Sequence, residues 1–371
     1  MDLGLRYLED SDWQRADSYF DEVLKVDSKY APAYIGKLCA ELKVPKEAQL
    51  ADHSLPIDEH RYFKWAIRDA DPAYKRQIQG YADKIKERFG NPKAGDRMVL
   101  KIKDVEYAFH WCPPGTFTMG SPTSEVGRVD RETQHQVTLT RGFWMLETEV
   151  TQVMWESVMG NNPSYFVREE LPVEEGVTQA MRASVMGNNP SYFVGAKLPV
   201  EQVSWDDCQE YIAKLNAHLA GTPEYLAGTP GAGFKFSLPT EAQWEYACRA
   251  GTTTAYHFGD MLTQQQANFD GNQTKEVGGN QTKEVGSYPA NAWGLKDMHG
   301  NVAEWCLNLV SDHPSGAVTD ASGVDVGSFR ALRGGSWNEE AERCRSAFRG
   351  GAPPSARFGY IGVRLSLVRA E

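Results

Sequence analysis

The sequence predicts an α+β protein, with a small all-α module over residues 1–90, a linker over 91–96 and an irregular mixed domain over 97–371. Three observations carry this. Apolar residues recur at helical spacing as far as Gly90. From about residue 97 the pattern turns to strand-like alternation, first at Met98-Val-Leu-Lys-Ile-Lys103. Beyond it, helices with capping signatures are separated by long Gly- and Pro-rich connections. Composition agrees, since 371 residues can build two cores and 34 Gly with ten Trp describe a loop-rich globular chain.

In the front module Trp13, Ala16, Phe20 and Leu24 share one helical face, and Pro32 suits the first turn of a helix carrying Ile35, Leu38, Cys39 and Leu42. Phe63, Ala66, Ile67 and Ala70 repeat the spacing. Tyr74, Ile78, Tyr81, Ile85 and Phe89 form a last stripe, with Gly90 placed to end it. The run from Trp13 to Ala31-Pro-Ala-Tyr34 resembles one tetratricopeptide repeat, which implies a module for docking a protein partner. The alternative is a helical cap on the next domain. Asn91-Pro-Lys-Ala-Gly-Asp96 has linker composition.

In the main domain Val137-Thr-Leu-Thr140 and Phe143-Trp-Met-Leu146 read as strands, and Phe117-Thr-Met-Gly120 as a short turn-bounded segment. Ser204-Trp-Asp-Asp207 and Thr240-Glu-Ala-Gln243 are capping boxes: each opens on a hydroxyl that can accept from the backbone three residues on. Cys208, Tyr211, Ile212 and Leu215 share the face of the first helix, and Trp244, Ala247 and Cys248 that of the second.

A net charge of −11 argues against nucleic acid and anionic membrane surfaces as partners. The chain contains no apolar run of membrane-spanning length. Its start has neither a basic and apolar leader nor a lipid-attachment Cys, which predicts a cytoplasmic protein with six reduced cysteines. Walker-type phosphate loops and Gly-x-Ser-x-Gly elbows are absent, and the eight His are scattered.

Three segments are duplicated. Val158 to Val167 recurs 27 residues later, from Val185 to Val194. Leu219-Ala-Gly-Thr-Pro223 recurs from Leu226, and Gly271-Asn-Gln-Thr-Lys-Glu-Val-Gly278 from Gly279. Two copies are too few for a solenoid, so these read as insertions into loops. In the long pair Val153 and Trp155 give way to Ala180 and Arg182. The first copy is therefore expected to hold the core helix and the second a looser surface helix.

A series of motifs runs through residues 107–371. It opens with Gly115-Thr-Phe-Thr-Met-Gly-Ser121, Glu149-Val-Thr-Gln152, Asn161-Asn-Pro-Ser-Tyr-Phe166 and Val203-Ser-Trp205. It continues with Leu238-Pro-Thr-Glu-Ala-Gln-Trp244, Asn291-Ala-Trp-Gly-Leu295 and Gly300-Asn-Val-Ala-Glu-Trp305. It ends with Arg333-Gly-Gly-Ser-Trp337, Cys344-Arg-Ser-Ala-Phe-Arg349 and Gly362-Val-Arg364. In content and order the series resembles the formylglycine-generating enzyme (sulfatase-modifying factor) family. The resemblance implies that family's irregular C-type-lectin-like fold.

It also implies sites. The family's oxidases hold copper(I) on two cysteines and convert a substrate cysteine to formylglycine. Here Cys344 matches the second cysteine, Glu339 stands in place of the first, and Ser336 and Trp337 match residues beside that centre. Ala303 replaces an aromatic of the family pattern. One thiolate with one hard carboxylate is a poor copper(I) set. Cys306 is a substitute ligand or, with Cys344, a small buried hydrophobe. A family calcium loop maps onto the side chains of Asp297 and Glu304 and the carbonyls of Gly300 and Val302, and a second such site onto Asn268 and Asp270. Without calcium these carboxylates would brace loops. Arg333, Arg345, Arg349 and Arg364 read as forks bracing carbonyls and carboxylates.

Some proteins of this appearance are targets of diversity-generating retroelements, which vary ligand-binding residues between Gly-Gly-Ser-Trp and the final Gly-x-Arg. That location here covers Asn338 to Arg343 and Gly350 to Tyr360. The resemblance therefore implies a protein or small-molecule ligand met by Trp337, Asn338, Glu340, Arg343, Phe358 and Tyr360. The expected function is ligand binding with calcium as cofactor; the alternative is a copper-dependent oxidase.

Overall fold

The computed structural model describes residues 1–53, 57–58, 60–89, 92–160, 195–220, 233–270, 281–312, 314, 316–321 and 327–370. They fall into two compact units that divide between residues 91 and 92.

The first unit is helical: α1 (Asp2–Glu9), α2 (Trp13–Val26), α3 (Ala31–Glu41), α4 (Arg61–Asp69) and α5 (Pro72–Phe89). Asp12 caps α2 by accepting from the Arg15 N–H, and Pro32 lies in the first turn of α3. The stripes read from the sequence face inward, with Ala16, Phe20, Ile35, Leu38, Phe63 and Ile78 all buried. Phe20 explains two glycines: a Cβ on Gly4 or Gly36 would overlap its ring. Helix α1 escaped the periodicity reading because only Gly4 and Leu8 of its eight residues are buried. Gly90 lies outside the described residues.

The second unit holds three sheets. The largest has the order β1 (Arg97–Ile102), β2 (Val105–Cys112), β5 (Phe143–Leu146), β12 (Ser366–Arg369), β6 (Phe234–Ser237). The last strand of the chain thus pairs antiparallel with both β5 and β6. The second sheet has the order β10 (Gly350–Ala352), β9 (Arg330–Arg333), β7 (Ala303–Leu309), β11 (Ile361–Gly362), with β11 parallel to β7. The third contains β3 (Gly115–Met119), β4 (His135–Leu139) and β8 (Val318–Thr319).

Among the described residues three helices cover this framework: α6 (Gln152–Met159), α7 (Trp205–Ala220) and α8 (Glu241–Arg249). Both capping boxes form. The Asp207 N–H donates to Ser204 Oγ and the Ser204 N–H to Asp207, while Thr240 and Gln243 bond reciprocally at the start of α8. Trp155 of α6 stacks on Tyr211 of α7 at 4.7 Å between ring centroids. The Tyr211 and Tyr107 hydroxyls, both buried, are 2.9 Å apart.

The long duplication resolves in an instructive way. The first copy supplies α6, with Met154, Trp155 and Val158 buried and Val153 exposed. The second, whose likeness to the first extends to Leu198-Pro-Val200 (against Leu171-Pro-Val173), supplies an extended partner segment: Val200 N–H donates to the Val150 carbonyl and Gln152 N–H to the Leu198 carbonyl around an isolated Thr151–Pro199 bridge. One composite copy is therefore built from the outer ends of two. The second-copy helix expected around Ala180 lies outside the described residues.

Candidate functional site

The second sheet positions a cleft of about 330 Å³. Its floor takes Ala303 from β7, Leu332 from β9, Gly350–Ala352 from β10 and Ile361 from β11. One wall is the segment after β9, which contributes Glu339 and Arg343. The other is the approach to β11, which contributes Phe358 and Tyr360. Ala303 leaves room on the floor where the family pattern has an aromatic.

The cleft's polar and aromatic groups are specific. Glu339 pairs with Arg343 at 3.4 Å, and its half-buried position raises its pKa above the usual carboxylate value. Phe358 and Tyr360 stack at 5.2 Å, their planes 6° apart. Trp337 fixes the wall from behind: its indole N–H donates to the Gly359 carbonyl at 2.9 Å and its backbone N–H to Asn301. Of the ligand residues expected from the sequence, Arg343, Phe358 and Tyr360 line the cleft. Asn338 and Glu340 are exposed outside its lining, and Glu339, expected only as the copper-position residue, joins it. The segments Asn338 to Arg343 and Gly350 to Tyr360, distant in sequence, meet across one depression.

Cys344 does not line it. Its thiol is fully buried in an apolar cluster with Ala255, Tyr256, Ala267 and Phe269. Gly335 seals it in: φ is +68°, and a Cβ there would lie 2.6 Å from the sulfur. Burial and then the Glu339 carboxylate push the thiol pKa up, against the Ser336 backbone N–H, which lowers it. Ser336 Oγ donates to Asn338 Oδ1 at 2.8 Å. Cys306 belongs to another apolar cluster, with Met119, Trp244 and Leu295 among others. These donors do not fit a two-thiolate copper(I) centre.

The turn onto which the family calcium loop maps joins the cleft walls by hydrogen bonds. Gly300 N–H donates to the Gly334 carbonyl and Ala303 N–H to the Tyr360 carbonyl, so the turn carries both cleft walls. Asp297 is buried and accepts the Gly286 N–H on one oxygen, while its Oδ1 has no partner among the described residues. Asp297 thus has a free oxygen suited to a hard cation. Glu304 does not: Arg364 at 2.9 Å and the Trp244 indole at 2.6 Å take up its oxygens. Asn268 donates to the Gln281 carbonyl and to Asn301, and the Asp270 N–H to the Glu339 carbonyl; between Asp270 and Gln281 the chain lies outside the described residues.

The other arginines brace the fold as expected. Arg333 binds Glu245 and the carbonyls of Ser346 and Phe348. Arg345 holds Glu132 and Arg349 holds Glu241, each through two oxygens. His299 is buried and kept neutral, its pKa lowered to about 3 by burial and then by His257. Its Nδ1 faces the Cys344 carbonyl at 2.7 Å.

This architecture is that of an irregular α+β domain that offers a cleft on a Gly-rich sheet and holds it with Arg–carboxylate forks. The chain belongs to the sulfatase-modifying factor enzyme 1-like domain family, whose model matches residues 103–369. Its fold is the formylglycine-generating-enzyme fold. Treponema denticola variable protein 1 superposes with a TM-score of 0.57 at 28% identity, over 73% of this chain and 98% of that one. PvdO from Pseudomonas aeruginosa gives 0.56 at 29%, over 74% and 98%. The formylglycine-generating enzyme of Streptomyces coelicolor is 35% identical over 143 residues, 35% of this chain and 46% of that enzyme. Serine/threonine-protein kinase pkn1 of Chlamydia caviae is 37% identical over 137 residues, 35% of this chain and 20% of that protein. The matched part is thus less than half of these two curated relatives. Among the described residues no helix is long and apolar enough to cross a membrane.

Proposed function

We propose that this chain is a ligand-binding member of its family, and that the ligand enters the cleft walled by Glu339, Arg343, Phe358 and Tyr360. One observation carries this reading: the residues facing the opening are aromatic and charged, whereas Cys344, the residue an oxidase would need, is sealed into an apolar cluster. Paired aromatic faces beside a carboxylate and a guanidinium suit a ligand with a flat or aliphatic body and a polar end. Calcium belongs to the same reading as a structural ion on the Asp297 turn.

The retroelement-target version is favoured by the meeting of Asn338–Arg343 and Gly350–Tyr360 at one cleft, and by the likeness to a variable protein. Its test is a template repeat and a reverse-transcriptase gene beside the coding sequence.

The binding reading is tested against the oxidase directly. Reduced protein is given copper(I), oxygen and a cysteine-containing sulfatase-type peptide, and in parallel its tryptophan fluorescence is titrated with a peptide and small-molecule panel. The expected result is unchanged peptide cysteine together with saturable binding weakened about tenfold or more by Tyr360→Ala. Formylglycine in the peptide, lost in Cys344→Ala, would overturn it.

A further inference from the structure

The segment after β9 also lines a second depression, of about 540 Å³, which shares no lining residue with the cleft. Glu339 and Arg343 belong to the cleft, whereas Ala341, Glu342 and Arg345 belong to this pocket. The turn after β3 adds Pro122, Glu125 and Val126, and the stretch after α8 adds Ala255, Tyr256 and Leu262. These three segments are tied together. The Tyr256 hydroxyl donates to the Ala341 carbonyl at 2.7 Å, the Ser346 N–H to the Ala255 carbonyl at 2.8 Å and Arg345 to the Gly127 carbonyl at 2.6 Å. Gly127 has a φ of +76°, and a Cβ there would overlap the Glu342 side chain, so glycine is what lets the turn close on this segment.

Two observations point to an occupant. Val126 and Met261, each 78% exposed, are the most exposed large apolar side chains among the described residues of the second unit, and both line this pocket. An apolar ligand body would take that surface out of water. Glu125, by contrast, has a side chain only 7% exposed, yet one of its oxygens is unused. Its Oε1 accepts from Arg345, and Oε2 accepts no hydrogen bond among the described residues. Burial pushes its pKa up against the pull of Arg345.

The charges select the sign of the ligand. Glu125, Asp260 and Glu342 line the pocket with a single cation, Arg345. Arg345 has no donor to spare. Its Nε donates to the Glu342 carbonyl, its Nη1 to Glu125 and Glu132, and its Nη2 to the Gly127 carbonyl and Glu132. That uses all five N–H groups of the guanidinium. An anion would therefore meet three carboxylates and no free guanidinium donor, while a cation would meet carboxylate oxygens able to accept from it.

We infer that this pocket binds an organic cation with an apolar body, an alkyl ammonium or alkyl guanidinium whose charged end is met by the pocket's carboxylates and whose stem covers Val126 and Met261. The site is separate from the ligand cleft and does not rest on it. A free amine and a lysine or arginine side chain of a partner peptide offer the same chemistry.

The test titrates the full chain by nuclear magnetic resonance at low salt and follows the Met261 methyl. The cationic probes are pentylamine, pentylguanidine and the blocked tripeptides Gly-Lys-Gly and Gly-Arg-Gly; pentanol and pentanoate are the neutral and anionic controls. Saturable shifts are expected with the cations, with pentanol about tenfold weaker and pentanoate weaker still. Asp260→Asn and Glu342→Gln, both at exposed positions, should each weaken the cation about threefold and together about tenfold, with an unchanged thermal midpoint. Tyr360→Ala, in the cleft, should leave cation binding as it was. Tripeptides that bind tenfold tighter than the free bases would identify a protein side chain as the ligand, and the reverse order a small amine. The inference fails if no cation gives a saturable shift, or if pentanoate binds as tightly as pentylamine. It fails equally if cation binding survives the double variant and is lost in Tyr360→Ala.

Discussion

Two sets of buried carboxylates sit within one domain and are treated in opposite ways. Glu245, fully buried, accepts from Arg333, Arg249 and the Gly120 N–H, and its pKa falls to about 2 because those arginines outweigh its desolvation. Glu149, equally buried, meets one amide, and burial followed by the Asp297 charge pushes its pKa well above the usual carboxylate value. The difference teaches where the chain is self-sufficient. The arginine forks close the fold from within, whereas Glu149 Oε2 and Asp297 Oδ1 are buried with no partner among the described residues.

The comparison can be broken most forcefully at the forks. Arg345→Ala would strand Glu132, 0% exposed, and should cost about 3–5 kcal/mol in urea unfolding. Next comes a difference of sign. In chelator, Glu245→Gln should lower the urea midpoint and Glu149→Gln should raise it, because the first removes a matched charge and the second an unmatched one. If both lower it, Glu149 and Glu245 do not differ in how their charge is met.

Acid titration sharpens the same point. The folded pKa of Glu245 lies below its ordinary 4.5, so its contribution is complete above 4.5 and is lost as pH falls toward 2. Glu245→Gln should flatten that part of the stability profile. His257 gives a second window. Burial lowers its pKa from 6.5 to about 4, so stability should fall as pH drops from 6.5 to 4. Both its ring nitrogens are buried without partners among the described residues. His257→Phe should remove that slope and raise neutral-pH stability by about 1 kcal/mol.

The smallest effect is expected from removing residues 161–187, which joins Gly160 to Asn188 and leaves one copy of the long repeat. Both halves of the composite copy survive, so the unfolding free energy should change by no more than about 0.6 kcal/mol. A larger loss would mean that the excised residues pack in a way the repeat does not require.

Much of this was legible in the chain. Local rules wrote the helical stripes, both capping boxes and strands such as Arg97–Ile102, because side-chain spacing and hydroxyl caps act within a few residues. The family motifs carried the fold, and the arginines of the C-terminal signature were read correctly as braces. Strand Val105–Cys112 was missed because its last four residues are all buried, which erases the alternation that marks a strand.

The cleft was half legible. Arg343, Phe358 and Tyr360 could be named from their place in the signature, but their convergence required the parallel pairing of β11 with β7. Glu149 could not have been singled out: it sits in a Glu-Val-Thr motif like any helix approach, and Asn301, its partner, is 152 residues away. Nor could sequence say that Glu304 is consumed by Arg364, 60 residues on. By itself the sequence determined which segments become helix or strand, which family the domain resembles and which residue types stand at the signature positions, since those depend on near neighbours and motif order. Tertiary structure alone decided which carboxylates find an arginine and which do not, and whether a cysteine faces solvent or core. Burial and charge pairing are set by chain crossings at long range.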